Sequence, residues 1–310
     1  MTRFTRKATA AGILLAAVTL AVTACSGTSS LPGSSSTATS GSDVFAGAPV
    51  AKTDLILSGS TMEAIKKRGK LIVAEALDAP LLSQQDPTNP DQVSGFDADL
   101  AKLLAIYILG KPNVEIVPPA SETREAMLQN GTVDVVFNTY TITPQRATQI
   151  DFAGPYFESG LAVAVKSDNT SIKSVKDIDG KNVIVGANTP AVTEVPKVAP
   201  TAKITAFATD PAAVQALIQG RGDAYVQDYT LLASDAASEK QIKVVGAPFT
   251  TEPYGIGLKH GDSDFKSFIN NWLTTIQKGG QWGQAWKTTL GTVTDSAIPT
   301  PPVIGSVPGS

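Results

Sequence analysis

Hydrophobic and polar positions along this chain switch repeatedly between two periods, which predicts alternating strands and helices. Ser60-Thr61-Met62-Glu63 has the form of a capping box opening a short helix, and Gly69 stands where it should stop. Leu71-Ile72-Val73-Ala74 is an unbroken apolar run, read as a buried strand. Apolar residues 96, 100, 103, 104 and 107 share one helical face that Gly110 closes. A strand over 114–117, a helix over 122–130 with Gly131 at its C′ position, and a strand over 133–137 come next. Thr143-Pro144 supplies an N-cap and a first helical residue. A second set begins after 161–165: a strand over 182–185, a helix capped by Thr189 and started by Pro190, and a helix over 212–219 opened by Asp210-Pro211. Strands over 223–226 and 242–245 flank a helix containing Leu231-Leu232. Ser263 is expected to cap a last helix, whose Phe265, Phe268, Ile269, Trp272, Leu273 and Ile276 form one stripe suited to core packing.

Repeated β–α alternation implies an α/β architecture with mostly parallel sheets. Ligands in such sheets bind outside the carboxyl ends of the strands. A folded body over 55–294 is large for one sheet, so two lobes are expected.

The ends of the chain have another character. Arg3, Arg6 and Lys7 precede an uncharged run over 8–24, the pattern of a secretory signal over 1–24, with a retained membrane anchor as the alternative. The run closes on Val22-Thr23-Ala24-Cys25, which resembles the bacterial lipobox and implies lipidation of Cys25. Residues 25–54 begin with a Ser/Thr/Gly-rich stretch and are expected to be a flexible tether. Pro299-Thr300-Pro301-Pro302 and the Gly, Ser and Pro residues after it suggest a disordered, solvated tail over 296–310.

Composition narrows the chemistry. A net charge of −3 offers no basic excess for phosphates, which argues against a nucleic-acid partner. One His and one Cys argue against most metal and thiol chemistry, so neither cofactor nor metal is expected. His260 follows Lys259 in a polar stretch and reads as an exposed loop residue rather than a general base.

Several segments, in order, resemble the family 3 extracytoplasmic solute-binding proteins, the receptors of polar amino-acid ABC importers. Gly95-Phe96-Asp97-Ala98-Asp99-Leu100-Ala101 is similar to the family's GFDxDLA signature. Asn130-Gly131-Thr132-Val133-Asp134, Thr141-Ile142-Thr143-Pro144-Gln145-Arg146 and Asp151-Phe152-Ala153-Gly154-Pro155-Tyr156-Phe157 resemble its central run. Gly222-Asp223-Ala224 through Asp228, and Tyr254-Gly255-Ile256-Gly257-Leu258, resemble its second-lobe segment and return strand. The wording around Arg124 and Tyr156 is similar to the actinobacterial glutamate/glutamine-type branch. The resemblance implies a two-lobed, type II periplasmic-binding-protein-like fold with a ligand between the lobes. Lobe one is placed at 55–163 plus 252–295 and lobe two at 165–248, with crossovers near 164–166 and 247–252.

An amino acid taken out of water needs both its charges met. The resemblance places Arg146 on the α-carboxylate, with Thr141 adding donors, and Asp228 on the α-ammonium. Read from the residues alone, Arg146 could pair with Asp151 at the surface, and Asp228 could be a helix N-cap. Thr189, Thr139 and Asp78 match further ligand-contacting positions. Arg124 matches the residue that reaches the ligand's side chain; its alternative is a solvated helix arginine paired with Glu122 or Glu125. Ala76, Ser121 and Pro190 depart from residues found in relatives: a basic residue, an aromatic and a small residue.

The function implied is capture of a polar amino acid, glutamate or glutamine first and aspartate or asparagine next. Closure would then deliver it to an ABC permease. The protein is expected to be a monomer, held outside the cytoplasm on the membrane by its lipid. A sensor lipoprotein signalling to a membrane partner is the alternative, and an enzyme of the same fold a remote one.

Overall fold

The computed structural model describes residues 43–293 and 297–310. The expected signal sequence, Cys25 and the first part of the tether lie outside the described residues.

The cap expected at Ser60 forms, its hydroxyl accepting from the Glu63 N–H at 3.2 Å to open α1 (Thr61–Arg68), but the reciprocal half does not: Glu63 Oε2 accepts from Gly59 N–H at 2.8 Å. Gly69 ends α1 at φ 77°, a left-handed conformation that glycine adopts without penalty. The chain continues through β1 (Leu71–Ala74), the small strands β2 (Asp78–Ala79), β3 (Ser83–Gln85) and β4 (Val93–Ser94), and α2 (Phe96–Leu109). Then come β5 (Val114–Val117), α3 (Arg124–Gln129), β6 (Val135–Val136), the single turn α4 (Pro144–Ala147) and β7 (Asp151–Ser159). The chain next crosses to β8 (Leu161–Lys166), β9 (Asn182–Gly186), α5 (Ala191–Val198), β10 (Lys203–Phe207), α6 (Asp210–Ile218), β11 (Ala224–Asp228), α7 (Tyr229–Ser238) and β12 (Ile242–Val245). It returns as β13 (Glu252–Leu258), α8 (Ser263–Gly279) and α9 (Gln281–Thr288).

Two five-stranded sheets result. The first has the order β5-β1-β6-β13-β7 and the second β10-β9-β11-β8-β12. In the first, β5, β1 and β6 are parallel and β13 runs against β6 and β7. In the second, β10, β9 and β11 are parallel and β8 runs against β11 and β12. The stripe on α8 packs into the larger core of lobe one, with Phe265, Ile269, Trp272, Leu273 and Ile276 each no more than 1% exposed.

Several expectations need correction. The first crossover is at Ser159-Gly160-Leu161, because all of β8, including 164–166, pairs within the second sheet. Gly160 is required there by close approach: a Cβ would collide with the Thr250 carbonyl oxygen of the other crossover. Asp262, not Ser263, caps α8 by accepting from Phe265 N–H at 3.1 Å. Thr189 does not cap α5: its hydroxyl donates to the Gly186 carbonyl at 2.8 Å, and Pro190 precedes the helix without a side-chain cap.

The described parts of both segments assigned to solvent, 43–54 and 297–310, also pack. Val44 is 9% exposed, Phe45, Ala48 and Ala51 lie against the lobe-one core, and Ala51 N–H donates to Tyr107 O at 2.8 Å. In the tail, Ile304 packs on the same core, Val307 joins the second lobe-one cluster, and Gly305 N–H donates to Gly154 O at 2.8 Å. Isolated apolar residues among Pro, Gly and Ser are enough to anchor these segments.

Candidate ligand-binding site

The carboxyl ends of the parallel strands in both sheets converge on one cavity of about 470 Å³. Lobe one contributes the loops after β1 (76–79), β5 (118–121) and β6 (138–141). Lobe two contributes Gly186 and the loop after β9, the segment 207–210 after β10, and Asp228 ending β11. All seven ligand contacts expected from the sequence, Asp78, Arg124, Thr139, Thr141, Arg146, Thr189 and Asp228, line this cavity.

Arg146 sits on α4 because Thr143 caps that turn, accepting from Arg146 N–H at 3.2 Å. Its side chain is buried, so the surface pair with Asp151 does not form; Asp151 meets His260 instead, at 3.0 Å. Arg146 Nη1 donates to Thr141 O at 2.8 Å, Nη2 to Asn188 O at 2.7 Å, and Nε lies 3.4 Å from Glu125 Oε1. A guanidinium has five N–H groups, so these partners leave donors for an anion in the cavity. Arg124 is 4% exposed and is no solvated helix residue. It donates to Ser121 O at 3.0 Å, Asn138 O at 3.3 Å and Asn188 O at 3.4 Å. Both guanidinium groups lie over the Tyr140 ring, at 4.4 Å for Arg124 and 4.7 Å for Arg146. Burial, then the Arg146 charge, lowers the Arg124 pKa to about 10, which leaves it cationic at neutral pH.

Asp228 is both an N-cap and a cavity carboxylate. Its Oδ1 accepts from Thr230 N–H at 2.9 Å, Thr230 Oγ1 at 2.8 Å, Ser159 Oγ at 2.8 Å and Tyr254 Oη. Among the described residues Oδ2 has no hydrogen-bond partner. Burial raises the Asp228 pKa, and the hydroxyl and amide donors oppose that rise. A buried, half-satisfied carboxylate is suited to an ammonium. Ser159 and Tyr254 belong to lobe one, so Asp228 is held across the interlobe boundary.

Thr139 has φ 44°, and its N–H donates to Asp97 Oδ2 at 2.9 Å. Tyr156 Oη donates to Asp97 Oδ1 at 2.8 Å, and burial pushes the Asp97 pKa up to about 6. Asp97 therefore fixes the loop bearing Thr139; it stands in the GFDADLA segment, but nothing in its spacing reveals that role. Sequence reasoning also missed Asn188, at φ 52°, whose carbonyl binds both arginines and whose Nδ2 reaches Ser121 O at 3.1 Å and Glu125 Oε2 at 3.3 Å. This residue clasps lobe two to lobe one. Finally, Asp210 lines the cavity, accepts from Tyr225 Oη at 2.5 Å and faces buried Asp235. Burial, reinforced in Asp235 by the Asp210 charge, raises both pKa values, and Asp78 across the cleft adds to the crowding.

Residues 71–291 match the family model described as "Bacterial extracellular solute-binding proteins, family 3". The chain belongs to this family. Among curated members, the glutamine-binding protein of Geobacillus stearothermophilus is 38% identical over 221 residues, covering 71% of this chain and 84% of that protein. Glutamate-binding protein GluB of Corynebacterium efficiens is 32% identical, over 75% of this chain and 83% of that one. Among solved structures, the cysteine-binding protein of Campylobacter jejuni aligns with a TM-score of 0.73 at 27% identity, covering 79% of this chain and 100% of that chain. The ancestral amino acid-binding protein AncCDT-1, a precursor of cyclohexadienyl dehydratase, aligns at 0.68 with 35% identity, over 74% of this chain and 100% of that chain. The family 3 match ends before the 297–310 tail and begins after the packed segment at 43–56.

Proposed function

We propose that this family 3 protein is the substrate receptor of an ABC importer and encloses one free polar amino acid between its lobes. One observation carries the reading. Arg146 from lobe one and Asp228 from lobe two, whose Oδ2 has no partner among the described residues, line the same cavity, the pair of opposite charges that a zwitterion needs. The names of the Geobacillus and Corynebacterium relatives favour glutamine or glutamate within that class.

Between those two, the cavity wall favours an amide. Asp78 and Asp210 both face the cavity, and Ala76 stands where a cation would help a carboxylate. Arg124 spends three of its N–H groups on carbonyls and keeps two for a side-chain oxygen. Glutamine, offering one acceptor and two donors, fits these walls better than glutamate; asparagine and aspartate come next. The permease is the partner that receives the ligand, and Cys25 is the point of lipid attachment outside the cytoplasm. The binding chemistry is that of a receptor with no reaction to perform.

Calorimetric titration of unfolded, dialysed and refolded protein against the common amino acids tests this. Wild type is expected to bind glutamine on the order of tenfold more tightly than glutamate, the worth of roughly one well-placed hydrogen bond. Arg124→Ala is expected to weaken both, glutamate more than glutamine, because it removes the cation that a side-chain carboxylate would meet along with a bond to Asn188. Silence across the whole set would overturn the receptor reading.

A further inference from the structure

The tail at 297–310 lies beyond the family 3 match, yet it packs against both lobe-one clusters, one of which holds Tyr140 and Ile142 on either side of the cavity residue Thr141. Its early part packs elsewhere: Ile298, itself 48% exposed, lies beside Gly283 of α9, and Ile304 packs on the lobe-one core. Its last residues do something more local. Val307 packs into the cluster containing Tyr140, Ile142 and Ile150. Gly309 passes so close to α4 that a Cβ on it would stand 2.8 Å from Ala147 Cβ and 3.4 Å from Ile142 Cγ2. Ile142 and Ala147 bracket the Thr143 cap and Arg146, and Tyr140 is the ring over which both guanidinium groups lie.

The segment so backed has little structure of its own. Helix α4 is a single turn of four residues, stitched to the start of β7 by Gln149 N–H and Ile150 N–H, which donate to Arg146 O at 2.8 and 3.1 Å. One turn is not self-supporting in water, so its geometry depends on packing. From the cavity side Arg146 is held by Thr141 O and Asn188 O. From behind, the apolar support of the Ile142–Ile150 segment includes Val307.

We propose that the tail is a strap that positions Arg146 for the ligand's carboxylate, through Val307 and the packing of Ile142, Ala147 and Tyr140. This inference rests on the reading of Arg146 as the carboxylate site. A charged group must be held closely to its productive geometry for a bidentate contact, and loosening its support costs affinity even when the fold survives.

The test uses the full chain with two substitutions and two readouts. Val307→Ser removes the strap's anchor behind Arg146, and Ile298→Ser removes a contact at its distant end. At a temperature well below both melting points, Val307→Ser is expected to weaken glutamine binding about tenfold, whereas Ile298→Ser leaves it unchanged. Val307→Ile is expected to restore wild-type affinity. Hydrogen exchange of ligand-free protein supplies the second readout: the amides of Gln149 and Ile150 should exchange faster in Val307→Ser and not in Ile298→Ser. Unchanged exchange at those amides overturns the strap whatever the protein binds. Equal loss of affinity in both serine variants overturns it too, because the effect would then be one of general stability. Absence of glutamine binding in wild type, with the exchange difference present, would count against the functional reading and leave the strap standing.

Discussion

Arg146→Ala is expected to abolish amino-acid binding while leaving a folded protein. The arginine is buried beside Glu125, with Thr141 O and Asn188 O as further acceptors, and its remaining donors are the cation that a ligand carboxylate would meet. Removing one partner of a buried ion pair costs about 3–5 kcal/mol, because the other charge stays desolvated and unpaired. That corresponds to a loss on the order of 10²–10⁴-fold in affinity. Arg146→Lys should recover little, since a point-like ammonium cannot present two parallel N–H groups. Folding is expected to survive, because Glu125 keeps Asn188 Nδ2 as a donor at 3.3 Å. Titration of the variant, with circular dichroism as the check on folding, decides it; wild-type affinity in Arg146→Ala would remove the carboxylate assignment.

Asp228→Asn carries the second large effect and separates two jobs of one side chain. Oδ1 caps α7 and accepts from four donors, whereas Oδ2 is bare. Asparagine is as good an N-cap as aspartate, so the start of the helix should hold. Its amide nitrogen, however, turns an acceptor facing the ammonium into a donor. Burial raises the Asp228 pKa, so the charged form opposes folding and a neutral replacement relieves that. The expected outcome is an unchanged or higher melting temperature together with a loss of binding on the order of 100-fold or more. Asp228→Ala should lose binding and also about 1 kcal/mol of stability with the cap. Retained affinity in Asp228→Asn, measured by the same titration, would mean the ammonium sits elsewhere.

Legibility of this chain from its sequence tracks periodicity. The α8 stripe is plain because six large apolar residues share one face over 265–276, and that arrangement has no other use than burial. Helix α1 and the turn before Arg146 are plain because their caps are local and each depends on a residue three positions away. The first crossover is hidden because an apolar strand such as 161–166 reads the same whichever sheet it joins; pairing, not pattern, decides. Thr189 looks like a cap, but Asn188 takes a left-handed backbone and turns its carbonyl toward two arginines of the other lobe. A contact made only across a closed cleft leaves no local trace in a sequence. The tail reads as solvated from its Pro, Gly and Ser content, while Ile304 and Val307 supply the anchoring that composition averages away.

The site is legible to a different degree. Its charged members come through resemblance, and the seven residues so identified line one cavity. Their roles cannot be read as fully. Asp228 caps α7 and lines the cavity as well, and Arg124 is tied to three carbonyls. Asp97, Asp210 and Asn188 escape notice because each acts through a long-range partner: Thr139 and Tyr156, Tyr225, and the lobe-one arginines.

If Arg146 and Asp228 grip the two charged ends of a free amino acid, blocking either end should abolish binding. Calorimetric titration of the refolded wild-type protein with glutamine, N-acetylglutamine and glutamine α-amide tests it without altering the protein. Glutamine is expected to bind and neither blocked form to bind detectably, since each removes the charge that one of the two residues meets. Binding of a blocked form within tenfold of glutamine itself would contradict it.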